Sequence, residues 1–258
     1  MLLREIQEKY NLPKEKLLRE LELARRSMAP KQKDFAVIEY GKENIIRVIR
    51  EGVGPLETEY GSFFHFNFKI ADKWEKYSAI VLANLNEKFQ PEFKNDFLLI
   101  RIDSGCETGQ LFGDKTCECK EQLMLALETI SRQGEGMLIN IPRQDGRGMG
   151  LPFKLATLRL QTFLGVDTVE ASAMMDPNGQ RDIRTYTGVI AILKFFLITP
   201  NIKIKLMTNN PKKMEIFKEN NYTLGEYSPI VIPPTEHTLR HLKAKQNGLG
   251  HINLIDKE

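Results

Sequence analysis

The C-terminal half of the chain alternates apolar segments of strand length with segments of helical period, and this alternation constrains the fold more than any other feature. Strand candidates lie at residues 136–141 and 202–207, and helix candidates lie over residues 121–132, 153–164, 189–198 and 211–220. An alternation of this kind is typical of domains in which helices cover a sheet. We therefore predict an α/β or α+β fold, with a mixed sheet and flanking helices.

The first 120 residues follow a different pattern. Strand-like segments at 63–70, 77–85 and 97–102 predict a mainly β entrance to the domain, and the last of them is apolar enough for an interior strand. Residues 12–28 place leucines on one face of an amphipathic helix that begins near Pro13. Because no clear period follows that helix, we predict two units: an N-terminal helical appendage over residues 1–50 and a main domain over residues 51–258.

Charge and hydropathy exclude several classes of protein. The 258 residues include 37 basic and 34 acidic side chains, a net charge of +3, so no bulk field favours nucleic acid or an anionic membrane. The most apolar run, 188–198, contains Lys194 and is far shorter than the roughly 20 residues of a membrane span. The N-terminus has no uninterrupted apolar segment of a secretory signal. We expect a cytoplasmic protein with neither nucleic acid nor membrane as a partner.

All three cysteines, Cys106, Cys117 and Cys119, lie within fourteen residues. Three thiolates suit zinc, and three protein ligands leave a fourth tetrahedral position for water, as a hydrolytic site requires. Two alternatives remain open at this point: a structural Cys3His site closed by one of the four histidines, or three reduced thiols without metal. The Cys-x-Cys spacing is unusual for a zinc ribbon, which favours the hydrolytic site.

Two loops and one basic segment indicate an anion site. Residues 143–150 form a glycine-rich loop with two arginines, Arg143 and Arg147, between a strand and a helix. Residues 208–213 place Asn210 as a helix N-cap and Pro211 at the first helical position, followed by two lysines. Taken alone, the glycine-rich loop has an alternative as a tight connection with solvated arginines, and the 208–213 segment is more often a solvated helix start. Together with Arg181 and Arg184, which lie just before another predicted helix, and beside a hydrolytic zinc site, they favour a polyphosphate substrate.

These segments together resemble one known family, the GTP cyclohydrolase II family. The order and spacing of five blocks carry the resemblance: residues 101–109 (RIDSGCETG), Cys117-x-Cys119 with Gln122, residues 143–151 (RQDGRGMGL), residues 167–171 (DTVEA) and residues 208–213 (TNNPKK). The similarity extends over about residues 53–252, so it includes most of the predicted main domain and leaves out the N-terminal appendage.

The resemblance implies a GTP cyclohydrolase II-like catalytic domain over residues 51–258. It implies a homodimeric zinc enzyme that opens the imidazole ring of GTP and releases formate and pyrophosphate towards riboflavin, with Mg²⁺ on the substrate phosphates. The metal ligands would be Cys106, Cys117 and Cys119. The nucleotide would be bound by Arg101, Gln122, Asp145, Gly146, Arg147, Thr168, Thr208 and Lys213. Arg181 matches the arginine proposed in the family to attack the α-phosphorus, although a guanidinium is better suited to clamp phosphate charge.

The chain also departs from the family pattern at the site. Gly179 stands where the family has an aspartate that accepts a proton, which leaves Asp176 or Asp182 as candidate substitutes. Asp145 replaces the usual glutamate, and Leu158 replaces a common tyrosine. These changes motivate two alternatives. One is a divergent homologue that acts on another purine or pyrimidine nucleotide, and the other is a zinc protein that binds nucleotides without turnover.

Overall fold

The computed structural model describes residues 2–70, 75–176, 182–226, 228–252 and 254–255. The strands are β1 (Lys31–Glu39), β2 (Lys42–Thr58), β3 (Gly61–Ile70), β4 (Glu75–Leu82), β5 (Asn84–Leu85), β6 (Pro91–Glu92), β7 (Phe97–Ser104), β8 (Gly136–Ile141) and β9 (Lys203–Met207). The helices are α1 (Leu2–Lys9), α2 (Lys14–Ser27), α3 (Glu107–Gln110), α4 (Cys119–Gln133), α5 (Leu151–Leu164), α6 (Thr168–Met175), α7 (Thr187–Phe195), α8 (Pro211–Glu219) and α9 (Leu239–Leu249).

Seven strands form one mixed sheet in the order β1-β2-β3-β4-β8-β7-β9. The first four strands form an antiparallel meander, and β4 also pairs antiparallel with β8. Strands β8 and β9 run parallel to β7 on its two sides. Because β7 lies inside the sheet, its residues 98–103 are all buried, as the apolar run predicted. The predicted mixed sheet with flanking helices and a mainly β entrance is confirmed.

The main core lies between the sheet and α7. Phe66 and Phe68 of β3 meet Phe195 and Phe196 edge to face, with ring centroids 4.9 Å apart for Phe66 and Phe196. This is the favoured geometry for aromatic pairs. Helix α7 buries eight of its nine residues, which confirms that the apolar run 188–198 contains a core helix. None of the helices within the described ranges has the length and apolarity that a bilayer span requires.

The expected helical appendage over residues 1–50 is wrong beyond Ser27. Residues 31–50 form β1 and the first half of β2, which join the main sheet as a hairpin. Tyr40 and Gly41 make the two-residue turn, both with positive φ (52° and 70°), which suits a type I′ hairpin. Strand β1 lies at the sheet edge and carries exposed charged residues, as edge strands commonly do. Those charges obscured the period-two apolar pattern in the sequence.

The parallel half of the sheet positions the candidate site. Strands β7, β8 and β9 end at Ser104, Ile141 and Met207, all at the same edge. The cysteine segment, the glycine-rich loop and the TNNPKK segment follow directly after these three strand ends. In α/β sheets ligands bind outside the carboxyl ends of the parallel strands. The topology therefore gathers three segments that are far apart in the sequence.

Candidate metal centre and active-site cleft

One cleft at this edge of the sheet brings together eleven of the thirteen residues predicted from the sequence. These are Arg101, Cys106, Cys117, Cys119, Gln122, Asp145, Gly146, Arg147, Thr168, Thr208 and Lys213. The cleft is also lined by residues that were not predicted as site residues, among them Lys154, His241, Lys245 and His251.

The three cysteine sulfurs lie within 4.8 Å of one another, with Cys106 and Cys117 Sγ atoms 3.8 Å apart. Tetrahedral thiolates at the usual zinc–sulfur distance would be about 3.8 Å apart, so the three sulfurs fit zinc. Because Gly109 has no side chain, the α3 backbone can lie directly against the cysteine cluster; a Cβ there would lie 2.7 Å from the Cys117 sulfur. None of the four histidines, all within the described ranges, joins this group, so a Cys3His site gains no support.

Lys154 of α5 binds the cysteine cluster and the glycine-rich loop at once. Its Nζ donates to Cys106 Sγ at 3.0 Å and to Asp145 Oδ1 at 3.1 Å. Hydrogen bonds from Cys117 and Cys119, and then from Lys154, lower the pKa of the Cys106 thiol. Burial lowers the pKa of Lys154, but the hydrogen bond and charge of Cys106 outweigh it, so the net shift is upward. The pair therefore favours a thiolate beside an ammonium.

A second buried network joins the cysteine turn to α9. Lys245 Nζ donates to Glu118 Oε1 at 2.8 Å, and Glu118 lies between Cys117 and Cys119 in the chain. Gln122 Nε2 donates to the same carboxylate at 3.3 Å, and Gln122 Oε1 accepts from Arg101 at 2.9 Å. Burial alone would raise the pKa of Glu118, but Lys245 above all lowers it to about 2. The carboxylate is therefore ionised, and it orients the helix that carries Gln122.

The glycine-rich loop turns sharply where it meets the cleft. Gly146 and Arg147 both have positive φ, 58° and 61°, within the short 3₁₀ segment Asp145–Gly148. Arg147 NH2 donates to Thr168 O at 3.0 Å and to Thr168 Oγ1 at 3.3 Å. Thr168 begins α6, whose N-cap Asp167 forms a capping box with Glu170. Two residues predicted separately to bind the nucleotide are therefore in direct contact.

The segment after β9 confirms its predicted helix start and adds a buried cation. Asn210 caps α8 by accepting from the Lys212 backbone N–H, and its own N–H donates to Thr208 Oγ1 at 3.1 Å. Lys213 Nζ donates to Ile102 O at 2.8 Å and is only 5% exposed. Burial first, and then the charges of Arg101 and Arg184, hold the pKa of Lys213 well below its ordinary value. An anion bound beside Lys213 would offset the unfavourable burial of its positive charge.

The two predicted catalytic residues differ from the other eleven. Arg181 lies outside the described residues. Asp176 is buried at the C-cap of α6, where its N–H donates to Ser172 O, and it lies outside the cleft lining, although Ser172 is part of that lining. The other candidate base, Asp182, accepts hydrogen bonds from the Arg184 guanidinium at 2.9 and 2.7 Å. Burial would raise the pKa of Asp182, but Arg184 keeps it lowered.

Comparison with known proteins identifies the family. A family model described as GTP cyclohydrolase II matches residues 50–229. The chain belongs to the GTP cyclohydrolase II family. A GTP cyclohydrolase-2 from Picrophilus torridus is 34% identical over 197 residues, which are 76% of this chain and 95% of that protein. A GTP cyclohydrolase-2 from Streptomyces coelicolor is 33% identical over 199 residues, 77% of this chain and 84% of that protein.

A riboflavin biosynthesis protein RibBA from Phocaeicola vulgatus is 34% identical over 211 residues, 81% of this chain, and the match spans only 49% of that relative's length. A solved structure of RibBX, a two-domain 3,4-dihydroxy-2-butanone 4-phosphate synthase from A. baumannii, covers 88% of this chain and 48% of that chain at 16% identity. Its TM-score of 0.35 is too low to support a comparison of folds. The predicted class, a GTP cyclohydrolase II-like hydrolase, is confirmed at the level of the family.

The GTP cyclohydrolase II family model ends before α9, so part of the cleft lies beyond the matched residues. Lys245 and His241 come from α9, and His251 follows it. Burial lowers the pKa of both histidines to about 3, so both are neutral near pH 7. Sequence signals for this wall are weak, because α9 lacks a side-chain N-cap hydrogen bond and the Glu118 partner of Lys245 lies 127 residues away.

Proposed function

We propose that this GTP cyclohydrolase II-family chain is a zinc-dependent hydrolase that opens the imidazole ring of GTP and releases formate and pyrophosphate. The observation that carries the proposal is the Cys106–Cys117–Cys119 cluster, spaced for a tetrahedral metal, in the wall of a cleft lined by cations. Zinc, when bound, supplies an acidified water for attack on the ring. The names of the relatives and the likeness of the five sequence blocks favour GTP as the nucleotide.

We propose that the cations of the cleft bind the triphosphate, with Mg²⁺ accompanying the phosphates. Lys213 and Arg147 are the first candidates, because one is a buried ammonium and the other is held by Thr168 at the glycine-rich loop. Arg101, Gln122, Gly146, Thr168 and Thr208 complete the nucleotide-binding set. The role of Arg181 in this proposal is to clamp the charge that develops at the α-phosphate. The Mg²⁺ ion then neutralises the negative charge of the phosphates that these side chains do not neutralise.

Asp176 is proposed as the acid–base group that replaces the missing aspartate. Two observations support this role: the Asp176 side chain is buried, and it lies one helical turn from Ser172, which lines the cleft. Asp176→Asn should lower turnover by about 10²–10⁴-fold with little change in nucleotide affinity, the usual range for a general base. Steady-state rates with calorimetric affinities measure both. Near-normal turnover would remove Asp176 from the mechanism.

A homodimer is proposed on the exposed apolar surface of α5. Thr157 is the one buried residue of this apolar helix, and Phe163 and Leu164 are 71% and 59% exposed. Leu155 of the same helix is also exposed, and clustered exposed apolar side chains of this kind commonly mark a protein interface. Phe163→Asp should convert the dimer to a monomer in sedimentation velocity, and Leu18→Asp on α2 should not. A monomeric wild-type protein would contradict the proposal.

We further propose that the catalytic unit consists of the predicted residues 51–258 together with the hairpin of β1 and β2, and that the protein is cytoplasmic. The boundary at residue 50 falls within β2, so the N-terminal hairpin completes the sheet of that unit rather than forming a separate body. The helices α1 and α2 then remain as the added part.

The deciding experiment is mass spectrometry of the products after the zinc- and magnesium-loaded protein has been incubated with GTP, with formate and pyrophosphate assayed in parallel. Formate with pyrophosphate would establish the proposed reaction. A formylated product would show that ring opening occurs without the second hydrolysis. Binding of GTP without any product would favour a nucleotide-binding protein without turnover.

A second candidate function is hydrolysis of another purine or a pyrimidine nucleotide. Leu158 lines the cleft where the family commonly has a tyrosine, so a hydroxyl that could orient the reacting groups is missing. A panel of purine and pyrimidine triphosphates in the same assay tests this alternative. Turnover of another nucleotide in preference to GTP would decide in its favour.

A further inference from the structure

The buried contact among Lys154, Asp145 and Cys106 has no role in the function proposed above. The Lys154 and Asp145 side chains are 16% and 2% exposed, and the ammonium lies about equally far from the carboxylate and the sulfur. We propose that Lys154 is a positioning residue for the Cys106 thiolate, and that Asp145 fixes Lys154 instead of binding the nucleotide base. This inference rests on the proposed zinc site and deepens it.

The charges explain why an ammonium belongs at this place. Three thiolates and one divalent metal would sum to a charge of −1, and the Lys154 ammonium places a positive charge directly beside the Cys106 sulfur. A hydrogen bond from an ammonium also withdraws electron density from the sulfur and fixes its direction. Residues that hold a metal ligand in this way change metal affinity when they are replaced. Cys106 has this partner at 3.0 Å, so it is the ligand that Lys154 tunes.

The hydrogen bonds of Asp145 are directed to the protein. Oδ1 accepts from Lys154, and Oδ2 accepts from the backbone N–H of Glu107 at 3.3 Å. Glu107 directly follows Cys106, so Asp145 holds the metal ligand from two directions: through the peptide next to it and through the ammonium beside its sulfur. With 2% of its side chain exposed, Asp145 offers little surface to a base. The neighbouring Gly146 backbone stays in the cleft lining and is open to the nucleotide.

The first test replaces zinc by cobalt(II) and records the thiolate-to-cobalt absorption together with the metal affinity against a competing chelator. Lys154→Met should lower the affinity by about 10- to 100-fold, because the Cys106 sulfur loses the partner that orients it towards the metal. The variant should also shift the absorption to lower energy, since a sulfur without this hydrogen bond is a stronger donor. Lys154→Arg should restore most of both properties. Lys120→Met removes an exposed lysine directly after Cys119 and should change neither.

A wild-type spectrum and affinity in Lys154→Met would overturn the inference and leave the zinc site intact. A wild-type protein that binds no cobalt and contains no zinc would instead overturn the proposed function, and the inference with it. The two failures are therefore distinct. Unfolding in urea identifies any variant that fails to fold, and if Lys154→Met fails, Asp145→Asn, for which we expect an absorption shift in the same direction, carries the comparison.

The second test separates positioning from base recognition by Asp145. Inosine triphosphate lacks only the 2-amino group of GTP, so a carboxylate that binds this group should prefer GTP. Asp145→Asn should leave the GTP-to-inosine-triphosphate affinity ratio unchanged in calorimetry and should shift the cobalt absorption in the direction seen for Lys154→Met. Asp145→Glu, which keeps the charge, should shift it less. Loss of the GTP preference with an unchanged cobalt spectrum would show that Asp145 binds the base.

Discussion

Removal of the Lys213 ammonium should weaken triphosphate binding far more than nucleoside binding. Lys213→Met keeps the apolar stem that fills the buried site but deletes the donor, which is 5% exposed and lies beside the carbonyl of Ile102. A hydrogen bond between charged groups contributes about 1.5–3 kcal/mol. Each 1.4 kcal/mol is roughly a factor of ten, so the triphosphate affinity should fall by about 10- to 100-fold. Guanosine has no phosphate for Lys213 to bind, so its affinity should stay near that of the wild type.

The lowered pKa of Lys213 adds a signature that a neutral contact would lack. Burial and the nearby guanidinium groups of Arg101 and Arg184 lower the pKa in the free protein, and a bound phosphate raises it again. Triphosphate binding should therefore take up protons at pH values above the lowered pKa. Affinity should fall as the pH rises from that value towards about 10.5. The folded chain binds fewer protons here than the unfolded chain, so this lysine makes the free energy of unfolding rise with pH over the same range.

Calorimetry in two buffers of different ionisation enthalpy measures affinity and proton uptake together. Lys213→Met should lose both the affinity and the proton uptake. Lys218→Met, an exposed lysine on the same helix α8, is the matched control and should retain both. Equal losses for GTP and guanosine in Lys213→Met, or unchanged proton uptake, would refute the placement of Lys213 at the phosphates.

Three further predictions concern the metal, the core and the α9 contact. Cys117→Ser should lower zinc to well below one ion per chain by plasma mass spectrometry, and unchanged metal would exclude Cys117 as a ligand. Gly188→Ala should lower the free energy of unfolding in urea by about 1–3 kcal/mol, because its Cβ would lie 2.7 Å from the Tyr77 ring; an unchanged midpoint would contradict this packing. Lys245→Met should lower the free energy of unfolding in urea by about 3–5 kcal/mol, because it leaves the Glu118 carboxylate buried without its cation. In the double variant with Glu118→Gln, most of the lost free energy of unfolding should be recovered. Additive effects of the two substitutions would argue against a direct contact between these side chains.

Local patterns predicted those parts of the fold whose causes lie within a few residues. Strand β8 has the predicted bounds, 136–141, and the helix predicted over residues 153–164 is observed as α5, which ends at Leu164 before the left-handed Gly165. Asn210 and Pro211 begin α8, also as expected. In each case the apolar period or a capping residue is enough to define the element.

Contacts between distant segments could not be predicted in the same way. Lys154 meets Cys106 across 48 residues, and Lys245 meets Glu118 across 127, so no spacing in the sequence marks either pair. The cysteine cluster was the opposite case, because its three members lie in one short segment. The sequence therefore identified the candidate metal ligands and missed the cations that surround them.

The closeness of the cysteines in the chain also determines how much a metal would stabilise the fold. Fourteen residues contain the whole ligand set, so an unfolded chain closes that loop at little entropic cost and still offers three thiolates to a soft metal. A ligand that also binds the unfolded chain stabilises the fold only by the difference between the two affinities. That difference comes from groups which only folding brings to the sulfurs, such as Lys154. Because the unfolded chain competes for the metal, we expect a bound metal to stabilise the fold by less than its free energy of binding to the folded site.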